Sequence, residues 1–319
     1  MPTLLRASFV ALIVVLATHT AQANDAVHVG KAQGTAWTFL PVDIGIEQGI
    51  FGKLGLDVDS ANLGGDAKVQ QALVAGSVDF GLGSGPGMAL ASKGGAAIAV
   101  AQFAGPPRNI SAIVLEDSPI KKVADLKGKM IAVSTVGSLS DWLAKQMAIQ
   151  EGWGANGIKT VPLGAVEASI AAMKAHQIDA VVLSTEAGFG LEERHEGRML
   201  ISMDHYAPHF ITHVVFARKA LVAEKPQVVE RFLKGFFASI AYMKAHRAET
   251  SALAEKVLKQ DRGVVEKDYD FELPMLTADG TFDPQAVVVL KKSYVELGTL
   301  PSEPPDSALF TTQFVPVKP

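Results

Sequence analysis

The 319-residue sequence contains no cysteine. That absence removes disulfides, thiolate zinc sites, cysteine-ligated iron–sulfur clusters and cysteine nucleophiles together. A lipid anchor on an N-terminal cysteine is excluded for the same reason. Positive charge is also thin: 29 Lys and Arg are scattered among 33 Asp and Glu, for a net charge of −4. Proteins that hold a nucleic-acid backbone carry dense basic patches, so nucleic acid is not expected as a partner. The chain also lacks a P-loop ending, a Gly-x-Ser-x-Gly elbow and a His-Glu-x-x-His pair, the usual sequence marks of phosphate binding, acyl transfer and zinc hydrolysis.

What is present is apolar and built to fold, with 48% hydrophobic and 19% charged residues. The length suits two domains, or one fold with two cores. The first 23 residues read as an export leader: Arg6, then an apolar run from Ala7 to Ala17, then Ala21-Gln22-Ala23 as a small-x-small cleavage site. The run is shorter than the roughly 20 residues needed to span a bilayer. No later stretch is apolar for long enough either, so a periplasmic protein is expected.

Beyond the leader, strands and helices alternate. Val27–Gly30 opens a strand, Thr38–Phe51 has helical spacing, Leu56–Val58 returns as a strand, and Asp66 begins a helix that Gly76 ends before Val78–Phe80. Strands follow at Ala97–Phe103 and Ile110–Leu115. The same grammar restarts with a strand at Met130–Ser134, helices at Ser138–Gln150 and Ala165–His176, and a strand at Ile178–Leu183. Gln71–Phe80 echoes Ala171–Ala180, each a helix end that turns and sets an Asp at a strand, as expected of two similar α/β lobes with mostly parallel sheets. From Lys219 onward, Phe232, Phe236, Phe237, Ile240 and Met243 recur at helical spacing, followed by helices near Ala248–Gln260 and Pro284–Leu297.

Three blocks now stand in order: Glu47–Val58, Gln71–Gly81 and Val123–Val133. Together they resemble the solute-binding proteins of ABC importers, in the SsuA/THI5-like branch that serves nitrate, sulfonates, taurine and thiamine precursors. The resemblance implies a type II periplasmic-binding fold. Its two α/β lobes would be 24–112 with 214–319, and 113–213, joined by hinge strands at Asn109–Glu116 and Ile211–Arg218, with the helical tail returning to the first lobe. It also implies capture of a small organic solute, a sulfonate, carboxylate or thiamine-precursor-like molecule, for delivery to an inner-membrane permease. A monomer is expected, with no cofactor, no metal and no chemistry.

Ligands of open α/β sheets sit beyond the carboxyl ends of strands. Four loops fall there. Gln33–Thr38 offers Trp37 as a flat wall and Thr38 as a hydroxyl. Gly81–Gly87 offers Gly83 for close backbone approach and Ser84 as a hydroxyl, and it does not fit the Gly-x-Gly-x-x-Gly pattern. Ser134–Ser138, with Thr135, Gly137 and Ser138, precedes a helix whose free N–H groups favour an anionic head, although Ser138 also suits simple capping. Ser184–Ala187 contributes Glu186, which would favour an amine or hydroxyl donor if it faces the cleft. Arg108 is the one base expected near the hinge, where it could grip a carboxylate or sulfonate. His209 precedes the second hinge.

Other readings fare worse. His205, His209 and His213 are spaced by four, but Pro208 and the β-branched run after it indicate a loop entering a strand, which destroys a helical metal face. A TRAP-transporter or sensor-linked receptor is not separable by sequence. The yeast thiamine-precursor synthases share the resemblance but use a cysteine-rich iron motif, and this chain has no cysteine.

Overall fold

In a computed structural model the protein is described over residues 24–318, apart from 35 and 165. The expected leader, 1–23, lies outside the described residues. The chain first lays down β1 (Asp25–Lys31), a 3₁₀ turn (Trp37–Phe39), α1 (Leu40–Glu47), β2 (Leu56–Asn62), α2 (Asp66–Ala75), β3 (Phe80–Ser84), α3 (Gly87–Gly94) and β4 (Ala97–Ala104). It then crosses to a second sheet with β5 (Ile110–Leu115), β6 (Met130–Val133), α4 (Leu139–Gln150), β7 (Lys159–Pro162), α5 (Val166–Lys174), β8 (Ala180–Ser184), α6 (Thr185–Glu193) and β9 (Gly197–Ser202). β10 (His213–Arg218) returns to the first sheet. The tail is helical: α7 (Lys219–Glu224), α8 (Pro226–Ala245), α9 (Arg247–Leu258), α10 (Arg262–Glu272), α11 (Pro284–Glu296) and α12 (Asp306–Leu309).

The two sheets have the same plan. Their orders are β2-β1-β3-β10-β4 and β7-β6-β8-β5-β9. In each, three parallel strands are flanked by an antiparallel strand that belongs, in chain order, to a crossing. The crossings run through 105–109 and 203–212. They touch where Thr212 donates its N–H to Ala104 O at 3.2 Å and its hydroxyl to Gly105 O. The expected pair of α/β lobes is therefore present.

The sequence echo has a physical basis. Asp79 donates its N–H to His28 O at 2.8 Å and accepts the His28 N–H on its carboxylate at 3.0 Å; Asp179 does the same with Met130 at 2.9 and 2.9 Å. Each acid thus clips the start of its strand to the neighbouring parallel strand. The turn before it needs a left-handed residue, Gly76 at φ 72° in one lobe and His176 at φ 54° in the other.

α8 seals the first lobe. Phe232 lies flat between Phe51 and Phe80, at centroid distances of 5.4 and 3.9 Å. Gly45 and Gly235 make room: a Cβ on either would stand 2.3 or 2.5 Å from the Phe51 ring. The tail does not stop at the first lobe. α10, which the periodicity reading passed over, packs against α6 of the second lobe, and Trp142 Nε1 of α4 donates to Glu296 Oε2 of α11 at 2.8 Å.

β10 opens with His213, a buried ring 4.8 Å from Phe39 and 5.6 Å from Phe103. Burial pushes its imidazole pKa down to about 3.

Two outcomes follow for stability. Phe232→Ala is expected to cost about 3–5 kcal/mol in urea unfolding, because both faces of the ring lose their partners. His213 stays neutral in the folded state well below the pH, about 6.5, at which it is protonated when unfolded. Its contribution is therefore complete above pH 6.5 and is lost as pH falls toward 3. Between pH 6 and 4 the wild-type protein should lose up to about 1.4 kcal/mol per pH unit relative to His213→Gln. Parallel pH profiles would contradict this.

Candidate ligand-binding site

The four loops at the carboxyl ends of β1, β3, β6 and β8 begin the site. In two of them, backbone donors that could have met an anion are already taken by the chain's own carboxylates. Asp66 accepts the Ser84 N–H at 2.8 Å and the Ser84 hydroxyl at 2.6 Å, and the same hydroxyl oxygen accepts from Gly87 N at 3.0 Å. Gly83 is buried in β3, and the position has no space for a side chain: a Cβ there would lie 2.5 Å from Asp66 Oδ1. In the β6 loop, Gly137, at φ 76°, donates to Asp141 Oδ2 at 2.9 Å, and Ser138 caps α4 by accepting from Asp141 N at 3.3 Å. Thr135 is exposed, with its N–H 3.4 Å from Ser138 Oγ. Lys145 pairs with the buried Asp141 at 2.7 Å.

The other two loops meet. Trp37 N–H donates to Glu186 Oε1 at 3.4 Å, from one lobe to the other. The indole is fully buried, edge-on to Tyr269 of α10 at 6.1 Å. Next to Tyr269 in the chain is Asp268, and one turn on is Glu272; both are fully buried. Three carboxyl groups thus share the α6–α10 contact. Burial raises the pKa of Glu186 despite N–H groups and Ser184 that pull the other way. Burial, and then the nearby Glu186, push Asp268 up to about 9. Burial with both neighbours holds Glu272 well above the usual carboxyl range. Near neutral pH Asp268 is therefore a neutral acid.

Polar groups without partners collect here. They include all four carboxyl oxygens of Asp268 and Glu272, Glu186 Oε2, the Trp37 indole N–H, the Thr38 hydroxyl and Asn109 Oδ1. Buried polar groups are rarely left unpaired, so a cluster of them marks a place built for something else. Arg108 also comes to the junction: its guanidinium lies 4.8 Å over Phe271 of α10, and its buried Nε, 3.6 Å from Asp204, has no hydrogen-bond partner. His209 is exposed, 3.5 Å from Asp283.

Sequence reasoning missed Asp268, Glu272 and Asn109. A signal for the acids existed: Val264, Val265, Asp268, Tyr269 and Glu272 recur at helical spacing, so the two carboxyls fall on the apolar face. The structure also disposes of one motif. Gly152-Trp153-Gly154-Ala155-Asn156-Gly157 has Gly-x-Gly-x-x-Gly spacing, but it joins the end of α4 to β7, the reverse of the strand-to-helix turn that cradles a pyrophosphate. Among the described residues no three acid or histidine side chains converge closely enough to hold a metal ion. No helix among them is long and apolar enough to cross a membrane. Two hollows, one of about 230 Å³ beside Asp25, Asp79 and Arg218 and one beside Glu116, Lys174 and His195, lie at the opposite, N-terminal edges of the sheets.

The chain is 27% identical over 248 residues to a protein of Brucella abortus named as a candidate binding protein, an overlap of 75% of this chain and 76% of that one. Its fold matches the periplasmic aliphatic sulphonate binding protein SsuA of Escherichia coli with a TM-score of 0.77 at 18% identity, covering 90% of this chain and 92% of the other. The desulfurization enzyme DszB shares the fold at a TM-score of 0.66 and 14% identity, over 91% and 97% of the two chains. The family model described as NMT1/THI5 like matches residues 37–250, a span that takes in Trp37, the crossings, Glu186 and the seal of α8. By that match the chain belongs to the NMT1/THI5-like family, on the two-lobed fold of the periplasmic binding proteins.

Proposed function

We propose that the protein is the substrate-binding component of an ABC importer. It works in the periplasm as a monomer, encloses a small organic solute between its lobes and presents it to an inner-membrane permease without chemical change. The lobes, expected at 24–112 with 214–319 and 113–213, swing about the crossings at 105–109 and 203–212, so that β5 moves whole with the second sheet and β10 whole with the first. The observation that carries this reading is the contact of Trp37 N–H with Glu186 across the lobes, surrounded by buried polar groups that lack partners. Such groups become paired when a ligand enters, and that gain exists only when the lobes are together. Ligand binding and closure are then one equilibrium.

The site candidates of this reading are Trp37, Thr38 and Glu186, with Arg108 as a buttress of the junction. Gly83, Ser84, Thr135, Gly137 and Ser138 shape the loops beside it, and His209 stands apart.

A bound solute should raise the melting temperature in proportion to its concentration, by the equivalent of about 2.7 kcal/mol at a hundredfold excess over Kd. It should also reduce the radius of gyration in X-ray scattering. Trp37→Ala is expected to weaken binding by roughly tenfold or more, while His209→Ala leaves it unchanged. Conversion of a bound compound to a new product by the isolated protein would refute the non-enzymatic reading.

A further inference from the structure

Taking the solute-receptor reading as its premise, we propose that the solute is an organic cation, an amine or amidinium whose N–H donors settle among Glu186, Asp268 and Glu272, and not an anion such as a sulfonate.

The geometry gives three reasons. First, the acceptors come from both sides of the junction. Asp268 and Glu272 are one turn apart on the same face of α10, and Glu186 opens α6 opposite them. Five carboxyl oxygens there have no hydrogen-bond partner. Second, a separate pair of fully buried groups, the Trp37 indole N–H and the Thr38 hydroxyl, is also unpartnered. They stand on the turn that packs against α10 and whose backbone N–H reaches Glu186. Donors and acceptors that share a junction without pairing can each be satisfied by a third body that carries both kinds of group. Third, three main-chain donors on which a sulfonate or carboxylate could rest are filled internally, at Ser84 by Asp66, at Gly137 by Asp141 and at Trp37 by Glu186.

The surrounding charges agree. Lys267 on α10 is 3.0 Å from Glu193 and 3.5 Å from Glu192 of α6, and Arg247 of α9 pairs with Glu266 and Asp270 on the outer face of α10. Arg108 lies over Phe271 and 3.6 Å from Asp204. None of these bases pairs with Glu186, Asp268 or Glu272 in an ion pair within 4 Å. The three carboxyls do not converge as metal ligands do, which fits a larger guest with spaced donors.

Empty, the cluster avoids buried charge by keeping protons: the pKa of each acid is raised, that of Asp268 to about 9. An acid whose folded pKa is raised costs stability as pH climbs from its unfolded pKa to its folded one, so the empty protein should become less stable from about pH 4 toward pH 9. A bound cation favours the carboxylate form, so its binding should release protons.

The test is a calorimetric and melting comparison of the purified protein with n-butylamine, agmatine and benzamidine against ethanesulfonate and butyrate. At least one cation should raise the melting temperature, increasingly from pH 6 to pH 9, and titrations in two buffers of different ionisation enthalpy should show proton release. Glu272→Gln and Asp268→Asn are near-isosteric with the neutral acids of the empty protein, and each should weaken that cation by roughly 10- to 100-fold. Glu192→Gln, at the periphery, should not. Binding of the anions and not the cations overturns the inference and leaves the receptor reading intact, as does cation affinity indifferent to both amide variants. Should a variant fail to fold, the proton release of the wild-type protein decides alone, and its absence overturns the inference. No binding from either set overturns the receptor reading itself.

Discussion

Burial of three carboxyl groups where α6 meets α10 is the constraint on which the rest of this structure turns. A charged carboxylate withdrawn from water without a partner costs several kcal/mol, and three together cost more through mutual repulsion. The junction therefore persists by keeping protons on the acids or by gaining something positive. The other ties between the lobes are ordinary: the Trp142–Glu296 hydrogen bond, the Lys267–Glu193 ion pair at the surface, and the Phe189–Phe271 edge contact. The exposed ion pair among them contributes little. What happens to the acids decides how tightly the halves are held.

The scaffold beneath the junction is a single device used twice. Each sheet places two loops at its carboxyl edge, and an aspartate at the opposite edge, Asp79 or Asp179, locks the third parallel strand to the first. The crossings then oblige the two carboxyl edges to face each other. The helical tail makes the pair unequal. α8 completes the first core through Phe232, whereas α10 leaves that core and lends its acids to the other lobe's helix. The site is therefore built by three parts of the chain, two that repeat and one that does not.

Much of this was legible in the residues. Glycines at helix ends, alternating strands and the Gln71/Ala171 echo were enough for two α/β lobes, because local turn chemistry and core burial both leave periodic traces. Glu186 and Trp37 were legible as residues beyond the carboxyl ends of strands, although both stand in helical turns and not in the loops expected of them. β7 was not: Lys159–Pro162 is a short edge strand without an apolar alternation. α10 was not either, since its mean character is polar and acids interrupt its apolar stripe. The expectation of an anion-binding helix start at Ser138 failed to anticipate Asp141, a residue of α4 itself that reaches back to occupy the donor.

The sequence by itself determined the elements, their alternation and the class of fold, because those depend on interactions between residues close in the chain and on the period of burial. Which carboxylates fill the backbone donors, and which are left buried without a partner, was decided only by tertiary structure. Glu186 and Asp268 are more than eighty positions apart, and no local pattern reports that folding sets two carboxyl groups on facing helices and buries them together.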